Sequence, residues 1–547
     1  MIKLILESVT RTIKEILKNM GITEDTEIIF EIPKDQTNGD YSTNIAMRLA
    51  KALRKSPVMI AKEIVENIDL NKNYLSKVDV AGSGFINLYI DKKYLLNIVN
   101  VILDEKENYG SSKEKKDGKV LLEFVSANPT GYLHVGHGRG AAYGDSLARI
   151  MRKSGYNVST EHYVNDAGNQ IHNLTLSIYE RYKELFGLKC ELGEDSYHGK
   201  EIITIASKIK DENGDFYLNN PYYDYFRSVG LNFLLDGLKK DLADFNVRFD
   251  NWFSEKSLYD NGEVQAVIDT LKKNNHTYVE DGATFLKTTE VCDEKDRVII
   301  KSDGSLTYLT PDIAYHMNKL NRGFTELIDV LGADHHGYIN RLKSSVALMG
   351  GNPEAIEIDI LQMVRAIQNG EEVKMSKRSG KAITLRDLID EAGSDALRYM
   401  YISKALSTHM DLDLDLAVKN SNENPVYYVQ YAYARICSLF RVLEDNNKEF
   451  KPVTEFNRMD INAAYGMVKV LIQYPSFIEE AASKHLPHKL AQYAYSLAGE
   501  LHSYYNEQKI ISDDEVETNE KLTLLKAVQI VLKDCLSLIG VGVKEKM

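Results

Sequence analysis

Residues 120–140 read Val120-Leu121-Leu122-Glu123-Phe124-Val125-Ser126-Ala127-Asn128-Pro129-Thr130-Gly131-Tyr132-Leu133-His134-Val135-Gly136-His137-Gly138-Arg139-Gly140. An apolar run ending in a carboxylate leads into a loop that holds Pro129, four glycines and two imidazoles. A helical pattern follows over residues 138–152, then a second apolar run over 157–164. This strand–loop–helix–strand order predicts an α/β fold with a doubly wound, Rossmann-like parallel sheet. Ligands bind such sheets beyond the carboxyl ends of the strands, so the loop is the first candidate site. Gly136 and Gly138 would let the backbone approach a ligand, the helix N-terminus offers N–H groups to phosphate, and His134 and His137 can donate to a phosphoryl oxygen.

Three other readings compete for this loop. Gly136-x-Gly138-x-x-Ala141, with Glu161 further on as a ribose contact, fits a dinucleotide fingerprint. That fingerprint needs a tight turn after the strand, whereas ten residues separate Val125 from Gly136. His134 and His137 could bind zinc, but no cysteine or third ligand stands near them. The loop could also be purely structural, with both histidines satisfied by the fold.

Outward from this unit, strands at residues 297–301, 326–331 and 356–361 are expected to continue the alternation. The helix- and turn-rich stretch 170–290 reads as an insertion between two halves of the sheet. Upstream, helical spacing at 4–17, 44–53 and 57–68 and an alternating strand at 85–90 make an α+β module. A polar linker at 111–118 closes it. After about Ala396 strands should disappear, and residues 427–443, 461–472, 489–506 and 519–538 read as long amphipathic helices. The expected domains are therefore an N-terminal module (1–112), a catalytic domain (113–395) and an all-α bundle (396–547).

The whole-chain numbers agree with that division and exclude several classes. A chain of 547 residues exceeds one compact core, and 44% apolar with 27% charged residues is ordinary for a soluble globular protein. No apolar run nears the roughly 18 residues of a membrane span. The N-terminal segment carries Glu7, Arg11, Lys14 and Glu15 and is no signal peptide, so a cytoplasmic protein without membrane attachment is expected. Cys190, Cys292, Cys437 and Cys535 stand singly, which excludes a zinc ribbon or a disulfide framework, and no metal site is expected. Sixty-seven basic against 80 acidic residues give a net charge of -13. Any nucleic-acid contact must therefore be local.

A second loop carries chemistry: Lys374-Met375-Ser376-Lys377-Arg378-Ser379-Gly380-Lys381 holds four cations in eight residues, before a helix near Thr384. Such a run is either a solvated loop or a basic clamp on a polyphosphate leaving group. Paired with the upstream His-x-Gly-His loop, it resembles the two hallmark motifs of class I aminoacyl-tRNA synthetases. The resemblance narrows to the arginyl-tRNA synthetase family. Glu123-Phe124-Val125-Ser126-Ala127-Asn128-Pro129-Thr130-Gly131, Tyr163-Val164-Asn165-Asp166-Ala167-Gly168-Asn169-Gln170 and Phe249-Asp250-Asn251-Trp252-Phe253-Ser254-Glu255 are similar to that family. So are Thr307-Tyr308-Leu309-Thr310-Pro311-Asp312-Ile313-Ala314-Tyr315-His316, Gly332-Ala333-Asp334-His335-His336-Gly337, Asp395-Ala396-Leu397-Arg398 and Asn424-Pro425-Val426-Tyr427-Tyr428-Val429-Gln430-Tyr431. These blocks span residues 120–440, and Asn38-Gly39-Asp40-Tyr41-Ser42-Thr43-Asn44 extends the likeness upstream.

The resemblance implies a ligase that activates L-arginine with ATP and passes it to the terminal adenosine of its cognate tRNA. His134, His137, Lys374, Lys377 and Arg378 would be catalytic. Gly136, Gly138, Asp334, His335, Met375 and Ser376 would join the histidines and Lys377 around ATP. Glu123, Ser126, Asn128, Tyr308, Asp312 and His336 would form the arginine pocket, which suits a planar, always-protonated guanidinium. Many members carry a lysine three positions before the first histidine and a degenerate lysine loop. Here Gly131 stands at that position and the lysine loop is intact, which implies that Lys377 takes the phosphate contact. Magnesium would travel with ATP. The N-terminal module would touch the tRNA elbow through Arg48, Lys51, Arg54 and Lys55, and the bundle would read the anticodon, with Tyr427 and Tyr431 as stacking candidates. Solvated helix faces and core packing account for the same residues. A monomer is expected. The rivals are a nucleotidyltransferase of the same fold, usually far smaller, and a tRNA-binding paralogue with a dead site.

Overall fold

The computed structural model describes residues 2–22, 24, 26–373 and 383–547, less the side chains of Lys3, Gln36 and His336. At its centre lie β1 (Val120–Glu123), β2 (Val158–Val164), β3 (Asn251–Ser254), β4 (Glu326–Gly332) and β5 (Ile356–Leu361). They form one sheet in the order β5-β4-β1-β2-β3, parallel throughout. Every residue of β1 is buried, as its unbroken apolar run requires of a strand covered on both faces. The strand order reverses beside β1, which puts the ligand crevice beyond the ends of β1 and β4. Helix α1 (Val135–Lys153) connects β1 to β2. A Cβ on its Gly144 would lie 2.1 Å from the Phe124 ring, so only glycine lets α1 approach the end of β1 this closely.

Three expectations need correction. The strand at Arg297–Ile300 is not in the parallel sheet; it pairs antiparallel with Ala283–Leu286, which pairs with Thr277–Glu280. Local hairpin partners claimed an apolar run that also fits a buried parallel strand. Within the stretch read as an insertion, β3 returns to the sheet edge, while the helices Gly168–Glu184, Lys200–Asn213 and Tyr223–Asp244 pack together around Ile178, Tyr182, Ile205 and Phe226. Nor do strands end at Ala396. Met410–Asp413 pairs in parallel with Val364–Gln368, its alternation of buried and exposed residues too short to read beneath three aspartates in Asp411-Leu412-Asp413-Leu414-Asp415.

The N-terminal region has helices Ile2–Asn19, Ile45–Leu53 and Pro57–Asn67 on a three-stranded antiparallel sheet. Asp40 accepts the Ile90 N–H at 2.9 Å and also the Tyr465 hydroxyl. The Asn38–Asn44 stretch therefore ties this region to the C-terminal helices. Helix α2 (Leu309–Asn321) precedes β4, and α3 (Leu385–Ala392) follows β5. Helices α4 (Pro425–Asp445), α5 (Ile461–Ser483), α6 (His488–Glu507) and α7 (Glu515–Leu538) form the bundle. Arg398, fully buried, joins it to the sheet: its guanidinium reaches Asp145 at 2.6 Å, the Ile539 carbonyl at 2.9 Å and the Phe245 carbonyl at 3.1 Å. No helix among the described residues is long and apolar enough to cross a membrane.

Candidate active site

The two histidines are not in a loop. His134 is the N-cap of α1 and His137 lies in its first turn. The Gly136 N–H donates to His134 Nδ1 at 3.1 Å, and the His134 N–H donates to His137 Nδ1 at 3.2 Å. Imidazoles thus build a reciprocal capping box usually made with hydroxyl and carboxylate oxygens, which is why the sequence pattern set the helix start too late. Both Nδ1 atoms accept, so in the neutral rings each proton sits on Nε2. The rings stack with centroids 3.7 Å apart. Crowding by the protein lowers the His134 pKa, though one edge of the ring meets solvent; the same desolvation, with His134 and His162 nearby, brings His137 down to about 3. The site thus holds two uncharged Nε2–H donors at a helix N-terminus.

Gly138 serves packing rather than ligand approach: a Cβ there would meet Leu385 at 2.9 Å and the Tyr401 hydroxyl at 3.0 Å. Arg139 also points inward, bonding the carbonyls of Gln362, Thr408 and Ala405 at 3.1, 2.8 and 2.8 Å.

Beside this helix end the sheet carries a row of acids. The register sets Asp329 of β4 opposite Glu123 of β1, and Glu123 opposite Glu161 of β2. All three are buried, and α2 lays cations across them. Lys319 Nζ reaches Glu123 at 2.6 Å and Asp329 at 2.8 Å; His316 Nε2 reaches Asp329 at 2.7 Å. Arg322 grips Glu161 at 2.6 and 2.8 Å, and Tyr315 adds its hydroxyl at 2.7 Å. Glu161, fully buried and clamped, cannot touch a ribose, which removes the dinucleotide reading. Burial raises the Glu123 carboxyl, with Lys319 opposing; for Asp329 burial is outweighed by Lys319 and His316, which hold it well below the usual carboxylate range. His316 completes the line, its Nδ1 2.8 Å from the Asp312 carbonyl and 3.2 Å from the Asp312 carboxylate. Tyr315, His316, Lys319 and Asp329 were missed as site residues. Asp312, His316 and Lys319 recur at i, i+4 and i+7, a one-face signal that was available on α2.

Ser126 holds the loop: its hydroxyl donates to Glu123 at 2.7 Å and accepts the Tyr163 N–H at 3.1 Å. Val125 (φ 69°) and Ser126 (φ 39°) occupy left-handed backbone, a strain of about 1–3 kcal/mol each of the kind kept at functional turns. Asn128 beyond them is exposed. Tyr308 is the N-cap of α2, 77% exposed, one turn above Asp312. It lines a cavity of about 730 Å³ with Asn165, Gln170, Arg227, Lys256 and Lys301. Asp166 belongs to the fold, accepting Ser254 Oγ at 2.6 Å and the Lys256 N–H at 2.8 Å. Asp334 and His335 lie exposed in the turn after β4, 3.6 Å apart. The His336 side chain lies outside the described residues, as do Lys374, Met375, Ser376, Lys377 and Arg378. Just past that segment, Thr384 pairs with His134, and the Leu385 N–H donates to the Leu133 carbonyl at 2.7 Å.

Of the residues considered for tRNA, Arg48 donates to the Glu27 carbonyl at 2.8 Å and Lys55 pairs with Glu63 at 2.7 Å. Lys51 and Arg54 are exposed. Tyr427 and Tyr431 stack at 6.0 Å, half-buried on α4, and the Arg435 guanidinium lies 5.5 Å from the Tyr431 ring.

Known proteins share both the sequence and the fold of this chain. Residues 98–413 fit the model of the tRNA synthetases class I (R) catalytic domain, 7–90 the arginyl tRNA synthetase N terminal domain and 429–547 the DALR anticodon binding domain. The chain belongs to the arginyl-tRNA synthetases. It is 48% identical over 542 residues to the arginine–tRNA ligase of Bacillus licheniformis, covering 98% of both chains, and equally to that of Bacillus subtilis. The Thermus thermophilus arginyl-tRNA synthetase structure shares the fold, with a TM-score of 0.71 at 21% identity over 99% of this chain and all of that one. In this arginyl-tRNA synthetase the stacked histidines at the start of α1 and the acid row of the sheet both flank β1. The match extends through the helical bundle, which a small nucleotidyltransferase lacks.

Proposed function

We infer that the chain ligates arginine to tRNA in two steps. The arginine carboxylate attacks the α-phosphorus of ATP, releasing pyrophosphate, and the arginyl-adenylate then acylates the terminal adenosine of the tRNA. The observation that carries the site assignment is the pair of neutral Nε2–H donors, His134 and His137, at the N-terminus of α1. Such donors stabilise charge building on the α-phosphate without a proton transfer. Gly136 lies between them, and Asp334 and His335 end the neighbouring strand where adenosine would lie. MgATP is the substrate form. Lys374, Lys377 and Arg378, with Met375 and Ser376, close on the β- and γ-phosphates, a reading supported by the pairing of Thr384 with His134 just beyond that segment.

Asp312 and Tyr308 receive the guanidinium, Asn128 the α-amino group, and Glu123 sets the acidic floor; His336 is assigned to the pocket from its sequence motif alone. Residues 1–112 contact the tRNA elbow through Lys51 and Arg54, with Arg48 and Lys55 less free to do so. Residues 396–547 read the anticodon, with Tyr427 and Tyr431 as stacking platforms supported by their half-buried pairing under Arg435. The protein acts as a cytoplasmic monomer. The test is ATP–pyrophosphate exchange: arginine-dependent exchange on adding cognate tRNA is expected, and exchange with another amino acid instead would refute the reading.

A further inference from the structure

We infer that Asp329 is a positioning residue which, through two buried cations, sets the relative places of the two carboxylates that read the substrate, Glu123 and Asp312. This rests on the arginine-pocket reading above. Its two oxygens divide the work: Oδ1 takes Lys319 Nζ at 2.8 Å, and Oδ2 takes His316 Nε2 at 2.7 Å. Lys319 continues to Glu123 at 2.6 Å, and His316 to the Asp312 carboxylate at 3.2 Å. Glu123 comes from a strand and Asp312 from the first turn of α2, so neither element fixes the other. The buried carboxylate joined to both does. Asp329 (2% exposed), Lys319 (0%) and His316 (3%) are too deep to touch substrate.

His316 faces acceptors at both ring nitrogens, the Asp312 carbonyl and carboxylate on one side and Asp329 on the other. Both nitrogens must therefore donate, which only the imidazolium does. The five linked groups carry three negative and two positive charges, leaving one negative charge for a monocationic side chain. The other charges that face them are Glu161, already matched by Arg322, and Glu255, bonded to Tyr163; the Tyr315 and Tyr338 hydroxyls are neutral.

Asp329→Asn keeps the shape but replaces one acceptor oxygen with an NH₂ donor. It can satisfy Lys319 or His316, not both. We expect its KM for arginine to rise at least about tenfold, with KM for ATP within about twofold of wild type. A merely structural defect would change both constants together or only reduce the active fraction. Should that variant not fold, His316→Gln, which cuts only the arm to Asp312, carries the same expectation. In the wild type, KM for arginine should stay flat between about pH 6 and 8, because His316 keeps its proton there. An unchanged arginine KM in either folded variant, or a wild-type KM that titrates in that interval, overturns the inference. Absence of arginine-dependent exchange in the wild type would instead refute the functional reading itself.

Discussion

His134 and His137 face one another across 3.7 Å, and each spends its Nδ1 on a backbone N–H of the same helix turn. The pair is therefore preorganised as two Nε2–H donors that need no protonation to act. Histidines used as proton carriers titrate near their ordinary pKa of about 6.5, but these are held below it.

The first prediction follows from that neutrality. Replacing His137 with Ala should slow arginine activation about 10²–10³-fold, the usual cost of losing one preorganised donor to a developing charge. Across about pH 5.5 to 8.5 His137 should contribute no inflection to the wild-type activation rate, since it titrates near 3 and a neutral ring already donates. Pre-steady-state adenylate formation measures both. A rate limb falling away with a midpoint between 6 and 7 would contradict the neutral-donor assignment.

Lys377 supplies a second prediction from sequence, because it lies outside the described residues. With Gly131 in place of the compensating lysine, Lys377→Ala should cut activation by orders of magnitude while tRNA affinity, read by filter binding, stays within about twofold. Normal activation by that variant would move the leaving-group role elsewhere.

How far these features could be read from sequence depended on range. β1, α1 and β2 were visible because each is a local pattern: an apolar run, a helical period, another apolar run. The adjacency of Asp329 and Glu123 was not, because it depends on pairing between strands about 200 residues apart, which no local period encodes. Glu161 misled for the same reason. Its distance from the glycines suited a ribose contact, while its actual partner, Arg322, stands 161 residues downstream. The capping role of the histidines was missed because helix starts are sought at hydroxyl and carboxylate side chains, and Nδ1 filled the same need. That Tyr308 and Asp312 stand one helix turn apart could be read directly, because four residues on one helix is a local relationship.

The third prediction concerns the link between the sheet and the bundle. Arg398 is fully buried with Asp145 as its ionic partner at 2.6 Å. Removing Arg398 leaves the buried Asp145 carboxylate with Arg149 alone, at 2.8 Å, so the loss falls below the roughly 3–5 kcal/mol of a buried charge with no partner. Arg398→Met should lower the denaturation midpoint, and Arg398→Met with Asp145→Leu should recover only part of the loss, because Arg149 then loses its own partner. Equal destabilisation by the single and double variants would mean that the carbonyl contacts to Ile539 and Phe245, not the ion pair, matter most.

The last prediction takes its sign from His316. Burial and Lys319 press its pKa down, but Asp312 and Asp329 outweigh them and push it up to about 10. In the unfolded chain the ring returns to about 6.5, so the folded state holds the proton more tightly. That stabilisation is fully present below about pH 6.5 and is lost as pH rises toward 10. Within this window the folded protein should lose stability with increasing pH by at most about 1.4 kcal/mol per unit on account of this one group. Chemical denaturation of wild type and His316→Asn at several pH values isolates the contribution, since other titrations cancel in the difference. The stability gap between the two should narrow steadily from about pH 6.5 to 9. A gap that stays constant would mean that His316 is neutral in the folded protein, and that Asp312 is held by hydrogen-bond geometry without the help of a neighbouring cation.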